Sequence, residues 1–250
     1  MKLYCIACEA LAREAYYAAA RSKHSVEVKS LHFGLHNTPD DLRKTIQGEI
    51  DGASEKDFEY ILLAYGLCSR GTAELTARNI PLVIPRAHDC ITMYLGSKER
   101  YAEEFREHPG TYYYSAGWVE RKEGEMEQGV LSIVKDRQAE ERFQEYVEKY
   151  GEENAAFLLE QEQMWTQNYN RAAFIDVGLG DVETYRDFTH QVADSKGWSF
   201  EELAGDLRLM DLLMSGDWDP REFLVVNPGE HTCEDVNQGI IRACSQIGGV

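Results

Sequence analysis

Three short apolar runs punctuate the first third of the chain: Leu3-Tyr4-Cys5-Ile6-Ala7, Tyr60-Ile61-Leu62-Leu63-Ala64 and Leu82-Val83-Ile84. None carries a charge on either face, the pattern of parallel strands covered on both sides. Val26 to Phe33 alternates apolar and polar residues instead and reads as a half-covered strand. Glu9 to Arg21 is a run of strong helix formers with alanine and leucine on one face. Thr38-Pro39-Asp40-Asp41 opens a second helix with a cap residue followed by proline. Ser69 stands where it would cap a helix running to Arg78, which Asn79-Ile80-Pro81 breaks before the next strand. A further helix starts at Asp89, and Gly96-Ser97 separates it from one that ends near His108-Pro109-Gly110.

Beyond that point the periodicities mix. Thr111 to Tyr114 forms a short aromatic strand leading into Gly117-Trp118, and residues 120 to 127 are a charged surface excursion. Lys135 to Gln167 is helix-rich, split at Gly151, with Phe143, Tyr146, Val147 and Tyr150 on one face. A strand at Ala172 to Val177, helices at Val182 to Asp194 and Glu201 to Met214, and a last strand at Phe223 to Val226 complete the pattern. Strands alternating with helices predict an α/β fold: an open, mostly parallel, Rossmann-like sheet flanked by helices, with a helical insertion and a C-terminal α/β portion. The expected division is 1–118 for the sheet domain, 119–170 for the helix-rich excursion and 171–250 for the C-terminal portion, packing onto the first.

Charge narrows the functional classes. With Lys+Arg at 26 against Asp+Glu at 44, the formal charge is -18. That opposes non-specific binding to nucleic acid and to anionic membrane surfaces. The first residues turn charged by Glu9 and Arg13, so no signal-peptide apolar region forms, and the expected compartment is the cytoplasm. Six cysteines without a secretory signal read as thiols or ligands rather than a disulfide framework.

Three of them follow apolar runs closely: Cys8, Cys68 and Cys90, the last within His88-Asp89-Cys90. With strand order 2-1-3-4-5, the strands before them are neighbours, about 4.8 Å apart, and the three thiols converge beyond the carboxyl ends where open α/β sheets bind ligands. Thiolate and imidazole suit zinc or an iron-sulfur cluster, which makes Cys8, Cys68, Cys90 and His88 the candidate ligands. Three thiols around a cubane cluster leave one iron open to substrate, whereas zinc held by three cysteines and a histidine is a closed, structural site. Helix N-termini behind these loops are expected to lower the thiol pKa values. Packing as small buried hydrophobes is the competing reading for all three.

Glu9 and Asp89 adjoin these positions as proton-transfer groups or partners orienting His88, with helix capping the alternative for Asp89. Arg70 and Arg86 would meet a carboxylate or phosphate, or else serve surface salt bridges. Cys5 and Cys8 have Cys-x-x-Cys spacing, but Cys5 falls inside an apolar strand and reads as buried. Cys233 reads as a surface thiol or a further ligand, and Cys244 as a packed residue in a helix. Phosphate-loop, zinc-protease and nucleophile-elbow motifs are absent, and Gly178-Leu179-Gly180 lacks the third glycine of a dinucleotide loop.

Several stretches occur together in a fixed order: Ala7-Cys8-Glu9, Gly66-Leu67-Cys68, Pro85-Arg86-Ala87-His88-Asp89-Cys90-Ile91 with Leu95-Gly96-Ser97, and Pro109-Gly110-Thr111-Tyr112-Tyr113. With Gly205-Asp206-Leu207, Gly216-Asp217-Trp218 and Phe223-Leu224-Val225-Val226-Asn227-Pro228-Gly229, they resemble the domain of unknown function 1638 family across nearly the whole chain. The resemblance implies a setting in anaerobic archaea and bacteria, beside corrinoid-dependent methyl-transfer systems, with a corrinoid or methyltransferase protein as partner. The reading that results is a metal- or iron-sulfur-dependent enzyme acting on a small molecule, or a non-catalytic carrier of a metal, cluster or corrinoid using the same pocket.

Overall fold

A computed structural model describes residues 1–122, 137–152, 154–155, 168–235 and 239–245. In chain order its strands and helices are β1 (Lys2–Cys8), α1 (Ala12–Arg21), β2 (Ser25–Leu31), α2 (Pro39–Ala53), β3 (Tyr60–Ala64), β4 (Leu82–Pro85), α3 (Cys90–Leu95) and α4 (Lys98–Glu107). There follow β5 (Thr111–Ser115), α5 (Ala116–Lys122), α6 (Arg137–Tyr150), β6 (Arg171–Asp176), α7 (Val182–Lys196), β7 (Ser199–Ala204), α8 (Arg208–Ser215), β8 (Phe223–Val226), β9 (Glu230–Asp235) and β10 (Ile240–Ser245). Among the described residues no helix is long and apolar enough to cross a membrane.

The chain forms two compact units, one of Met1–Ala102 with Ala204–Val250 and one of Glu103–Leu203. These boundaries differ from the expected 1–118, 119–170 and 171–250: the last forty-odd residues belong to the first unit, because β8 completes its sheet. That sheet is five-stranded, in the order β2-β1-β3-β4-β8. The neighbours β1, β3 and β4 are parallel as expected, whereas β8 pairs antiparallel with β4.

Alternation assigns the faces. Tyr4 and Ile6 of β1, Ile61 and Leu63 of β3, and Leu82 and Ile84 of β4 share a core with Leu42, Ile46 and Ile50 of α2. The spacing of four along α2 puts those three side chains on one stripe. Each buried Leu or Ile contributes roughly 1.5–3 kcal/mol, so this stripe alone fixes α2 to the sheet. Cys5, fully buried, falls on the opposite face of β1 from Cys8 by the same alternation, which separates the two members of the Cys-x-x-Cys spacing.

In the second unit β5 and β6 are parallel neighbours in a three-stranded sheet ordered β5-β6-β7. Its core joins Tyr114, Phe174, Val192 and Ala193. Arg171 is buried there and lies 3.1 Å from Glu104 and 2.7 Å from Glu201, so its charge is paired inside the unit.

Three expected elements differ. The helix from Ser69 to Arg78 is a turn, because Cys68, Ser69 and Arg70 all have positive φ (46°, 53° and 71°), which a right-handed helix excludes. Glu201 to Met214 divides into the end of β7 and α8, since the alternating Ser199–Ala204 segment joins a sheet. Phe223–Val226 is not the last strand: β9 and β10 follow as an antiparallel ribbon, and Cys244 lies on β10 rather than in a helix. Of the expected helix after Gly151, residues 153 and 156–167 lie outside the described residues, as do 123–127 of the charged excursion.

Candidate functional site at the strand ends

Cys8 is the last residue of β1 and precedes a single 3-10 turn, Glu9–Leu11, that leads into α1. Burial pushes its thiol up to about 11, while the backbone amides of Ala10 and Leu11 pull in the opposite direction. Glu9 turns away to accept a hydrogen bond from the Phe33 amide at 3.1 Å, tying the β1 exit to the loop after β2.

The exits of β3 and β4 are laced together. Leu67 N donates to Ala87 O at 2.8 Å and Cys68 N to His88 O at 2.9 Å, which ties the two loops together beyond the paired strands. Gly66 is required for this approach: a Cβ there would sit 2.6 Å from Asp89 N and 2.9 Å from Ala87 O. The left-handed run at Cys68, Ser69 and Arg70 contains no glycine, so each residue costs roughly 1–2 kcal/mol of local strain. Thr72, fully buried, holds the turn by donating from Oγ1 to Gly66 O at 2.9 Å.

Cys90 is the first residue of α3. Asp89 caps that helix, its Oδ1 accepting from Ile91 N at 3.0 Å and Thr92 N at 3.4 Å. Its Oδ2 accepts from the Tyr101 hydroxyl at 3.0 Å, so capping and positioning coexist in one carboxylate. Burial raises the Asp89 pKa, with Tyr101 and the two amides opposing the rise. Burial also drives the Cys68 and Cys90 thiols upward, and negative charge at Cys8 and Asp89 raises both further. Desolvation therefore overrides the expected lowering by helix N-termini: α3 is a single short helix, and nearby amide dipoles cannot replace a lost hydration shell.

Tyr65 completes the group. It is 2% exposed, its hydroxyl has no hydrogen-bond partner among the described residues, and burial followed by the charges of Cys8 and Cys68 holds its pKa far above the phenolic range. Cys8 and Cys68 pack against the same core as Tyr65.

The remaining candidates are otherwise engaged. The His88 side chain is exposed, and it is its carbonyl that binds the Cys68 amide. Arg70 pairs with Glu234 at 3.1 Å. Arg86 donates from Nε to Pro220 O at 2.9 Å and from Nη1 to Gly239 O at 3.0 Å and to Ile241 O, so it braces β10.

Among the described residues, the His/Cys/Asp/Glu group whose ligating atoms all lie within 4.8 Å of one another is a different one: His231, Cys233 and Cys244. Cys233 and Cys244 are joined as a disulfide, with Cα atoms 6.0 Å apart, contrary to the expectation of six thiols or ligands. The pairing is hidden in the sequence because the residues around Cys244 have helix-like composition, whereas Cys244 lies on β10. The signal available was alternation, His231 and Cys233 being two residues apart in Glu230–Asp235.

A family model described as protein of unknown function, DUF1638, matches residues 30–214. The chain belongs to that family. No curated protein and no solved structure matches it. The DUF1638 match takes in Cys68, His88, Asp89 and Cys90, with their two laced loops, and begins after Cys8 and Glu9. It ends before β8 and the ribbon of β9 and β10.

Proposed function

We propose that Cys8, Cys68 and Cys90 hold a metal ion or an iron-sulfur cluster with an open position, and that the protein is an enzyme acting on a small molecule at the strand ends. The observation that carries this reading is that Cys8, Cys68, Cys90 and the buried Tyr65 lie near enough at the exits of adjacent parallel strands to raise one another's pKa values, although the three sulfurs do not all lie within 4.8 Å of one another and would have to draw together around a ligand. A buried hydroxyl without a partner costs roughly 1–3 kcal/mol, which a bound group or its substrate would offset. The left-handed turn at Cys68 adds support, since strain of that kind collects where a site must hold a fixed geometry.

The donor set fits a thiolate-binding group, and the amides of Ala10, Leu11 and Gly66, which favour the thiolate forms of Cys8 and Cys68, suit ligating sulfurs. When bound, such a group would supply Lewis acidity or electron transfer. Asp89, fixed by Tyr101 and two amides, is placed to hold or pass a proton beside Cys90. A role in anaerobic one-carbon metabolism, with a corrinoid or methyltransferase protein as partner, rests on the family resemblance alone.

Anaerobic purification with metal analysis and visible absorbance tests the reading. Bound zinc gives metal without colour, and a cluster gives iron with a broad visible band. Both should fall away in Cys8→Ser, Cys68→Ser and Cys90→Ser while circular dichroism holds. Metal-free protein, indifferent in fold to all three changes, would overturn the proposal. Metal bound without turnover of candidate methyl donors makes the protein a carrier.

A further inference from the structure

The ribbon of β9 and β10 carries a second thiol group with a geometry of its own. In the antiparallel register His231 lies opposite Cys244, and Arg242 opposite Cys233. His231 and Cys233 are two residues apart and share a face of β9; Cys244, across from His231, lies on that same face. The opposite face is given to the core. Thr232 is fully buried, donates from Oγ1 to Thr72 O at 2.6 Å and accepts from Leu75 N at 2.9 Å, while Ile241 and Ala243 join the apolar cluster under the sheet. One face of the ribbon thus anchors it, leaving His231, Cys233 and Cys244, all half-buried, to a separate task.

We propose that His231, Cys233 and Cys244 form a zinc-class site that is open only when the cysteine pair is reduced. The ligating atoms already lie within 4.8 Å of one another, and among the described residues the His231 ring has no hydrogen-bond partner. Around tetrahedral zinc, sulfur and nitrogen donors stand about 3.3–3.8 Å apart, given metal–ligand bonds of about 2.0–2.3 Å. Two sulfurs bonded to each other cannot meet that separation, so disulfide and metal exclude one another. A fourth position remains for water or a partner's ligand.

The exchange balances with a low-molecular-weight disulfide as oxidant. The two thiolates of the zinc-bound form give up two electrons and form the Cys233–Cys244 bond. The oxidant's sulfur–sulfur bond breaks to give two thiolates, and zinc leaves as the unchanged divalent ion. The ribbon is fixed on both sides through this change: Thr232 binds the turn that follows Cys68, and Arg86 binds the backbone of Gly239 and Ile241. The site is therefore built into a rigid frame before any metal arrives.

Cobalt(II) added anaerobically to the reduced full-length protein is the test, read by its sulfur-to-cobalt charge-transfer band and its ligand-field bands. Cys233→Ser and Cys244→Ser should each abolish the part of the charge-transfer band they contribute and weaken binding by more than about a hundredfold, since loss of mere supporting groups around metals costs about 10–100-fold. His231→Gln should shift the ligand-field bands. In the wild type, oxidised glutathione should release the ion in step with loss of two hydrogens from the Cys233 and Cys244 peptides. Cys8→Ser, Cys68→Ser and Cys90→Ser serve as the other arm: they leave this part of the spectrum in place even if no group binds at the strand ends. Folded, reduced protein that shows no cobalt band dependent on Cys233 and Cys244 would overturn the proposal, as would a band that survives formation of their disulfide.

Discussion

The two thiol groups of this protein are assembled by opposite means. Cys233 and Cys244 come together within one ribbon, eleven residues apart in sequence, and strand register alone brings them and His231 onto one face. Cys8, Cys68 and Cys90 arrive from three strand exits and depend on parallel pairing, a left-handed turn and the close approach at Gly66. The ribbon group is brought together by pairing within one ribbon, which Thr232 and Arg86 then hold in place, whereas the strand-end group needs most of the first unit to be correct. Both sets of cysteines are half-buried, but the ribbon's are joined to each other, while the strand-end thiols are unpaired among the described residues and their pKa values are pushed up by burial. A locally built group can switch state without disturbing the core, and a group built over long range is tied to the stability of the fold.

The sharpest way to break that contrast is Gly66→Ala. The added Cβ would meet backbone atoms of Asp89 and Ala87 rather than movable side chains, so a loss of about 3 kcal/mol is expected by denaturant titration. Gly48→Ala on α2, where nothing lies within 4 Å, should instead stabilise by about 0.5–1 kcal/mol. Equal responses at the two glycines would show that the laced exits are not a tight junction.

Next in size is the reactivity of Cys8 in metal-free protein. With its pKa near 11 against an ordinary 9.0, the thiolate fraction at pH 8 is lower by about a hundredfold, and alkylation should titrate around pH 11. The sign for stability follows from the same shift. The unfolded chain loses this proton from pH 9 and the folded one only near 11, so the contribution is intact below pH 9 and is lost as pH rises through 11. Alkylation of Cys8 with an ordinary midpoint would contradict the desolvated site.

A smaller effect probes the ribbon's anchored face. Thr232→Val removes the hydroxyl that joins Thr72 O to Leu75 N and should cost about 1–2 kcal/mol, visible as a lower thermal midpoint. Smallest is Arg70→Ala. Its ion pair with Glu234 is exposed on the arginine side, so stability should change by less than about 1 kcal/mol. A large loss there would mean that the pair, rather than the Thr232 hydrogen bonds, holds the ribbon to the turn.

Much of the frame was legible because burial writes itself into sequence as uncharged runs. Leu3 to Ala7, Tyr60 to Ala64 and Leu82 to Ile84 are parallel strands as their alternation with helices implied, in the order assumed for a common open sheet, and Asp89 caps α3, one of the two roles its position suggested. Ser69 misled, since a cap residue before a mixed segment looks the same whether the next residues turn right-handed or left-handed. What decided the matter were hydrogen bonds from Leu67 and Cys68 to the neighbouring exit, which no local pattern records. Glu201 to Met214 misled similarly, because a strand edge followed by a short helix has the apolar content of one longer helix.

By itself, then, the sequence determined the core strands, the first two helices and the presence of three cysteines at strand exits, because apolar periodicity and cap chemistry act within a few residues. Tertiary structure decided the antiparallel place of β8, the pairing of Cys233 with Cys244, the exposure of the His88 side chain and the upward shift of the buried thiols. Each depends on which distant segment comes to lie alongside, and on how much water that contact removes.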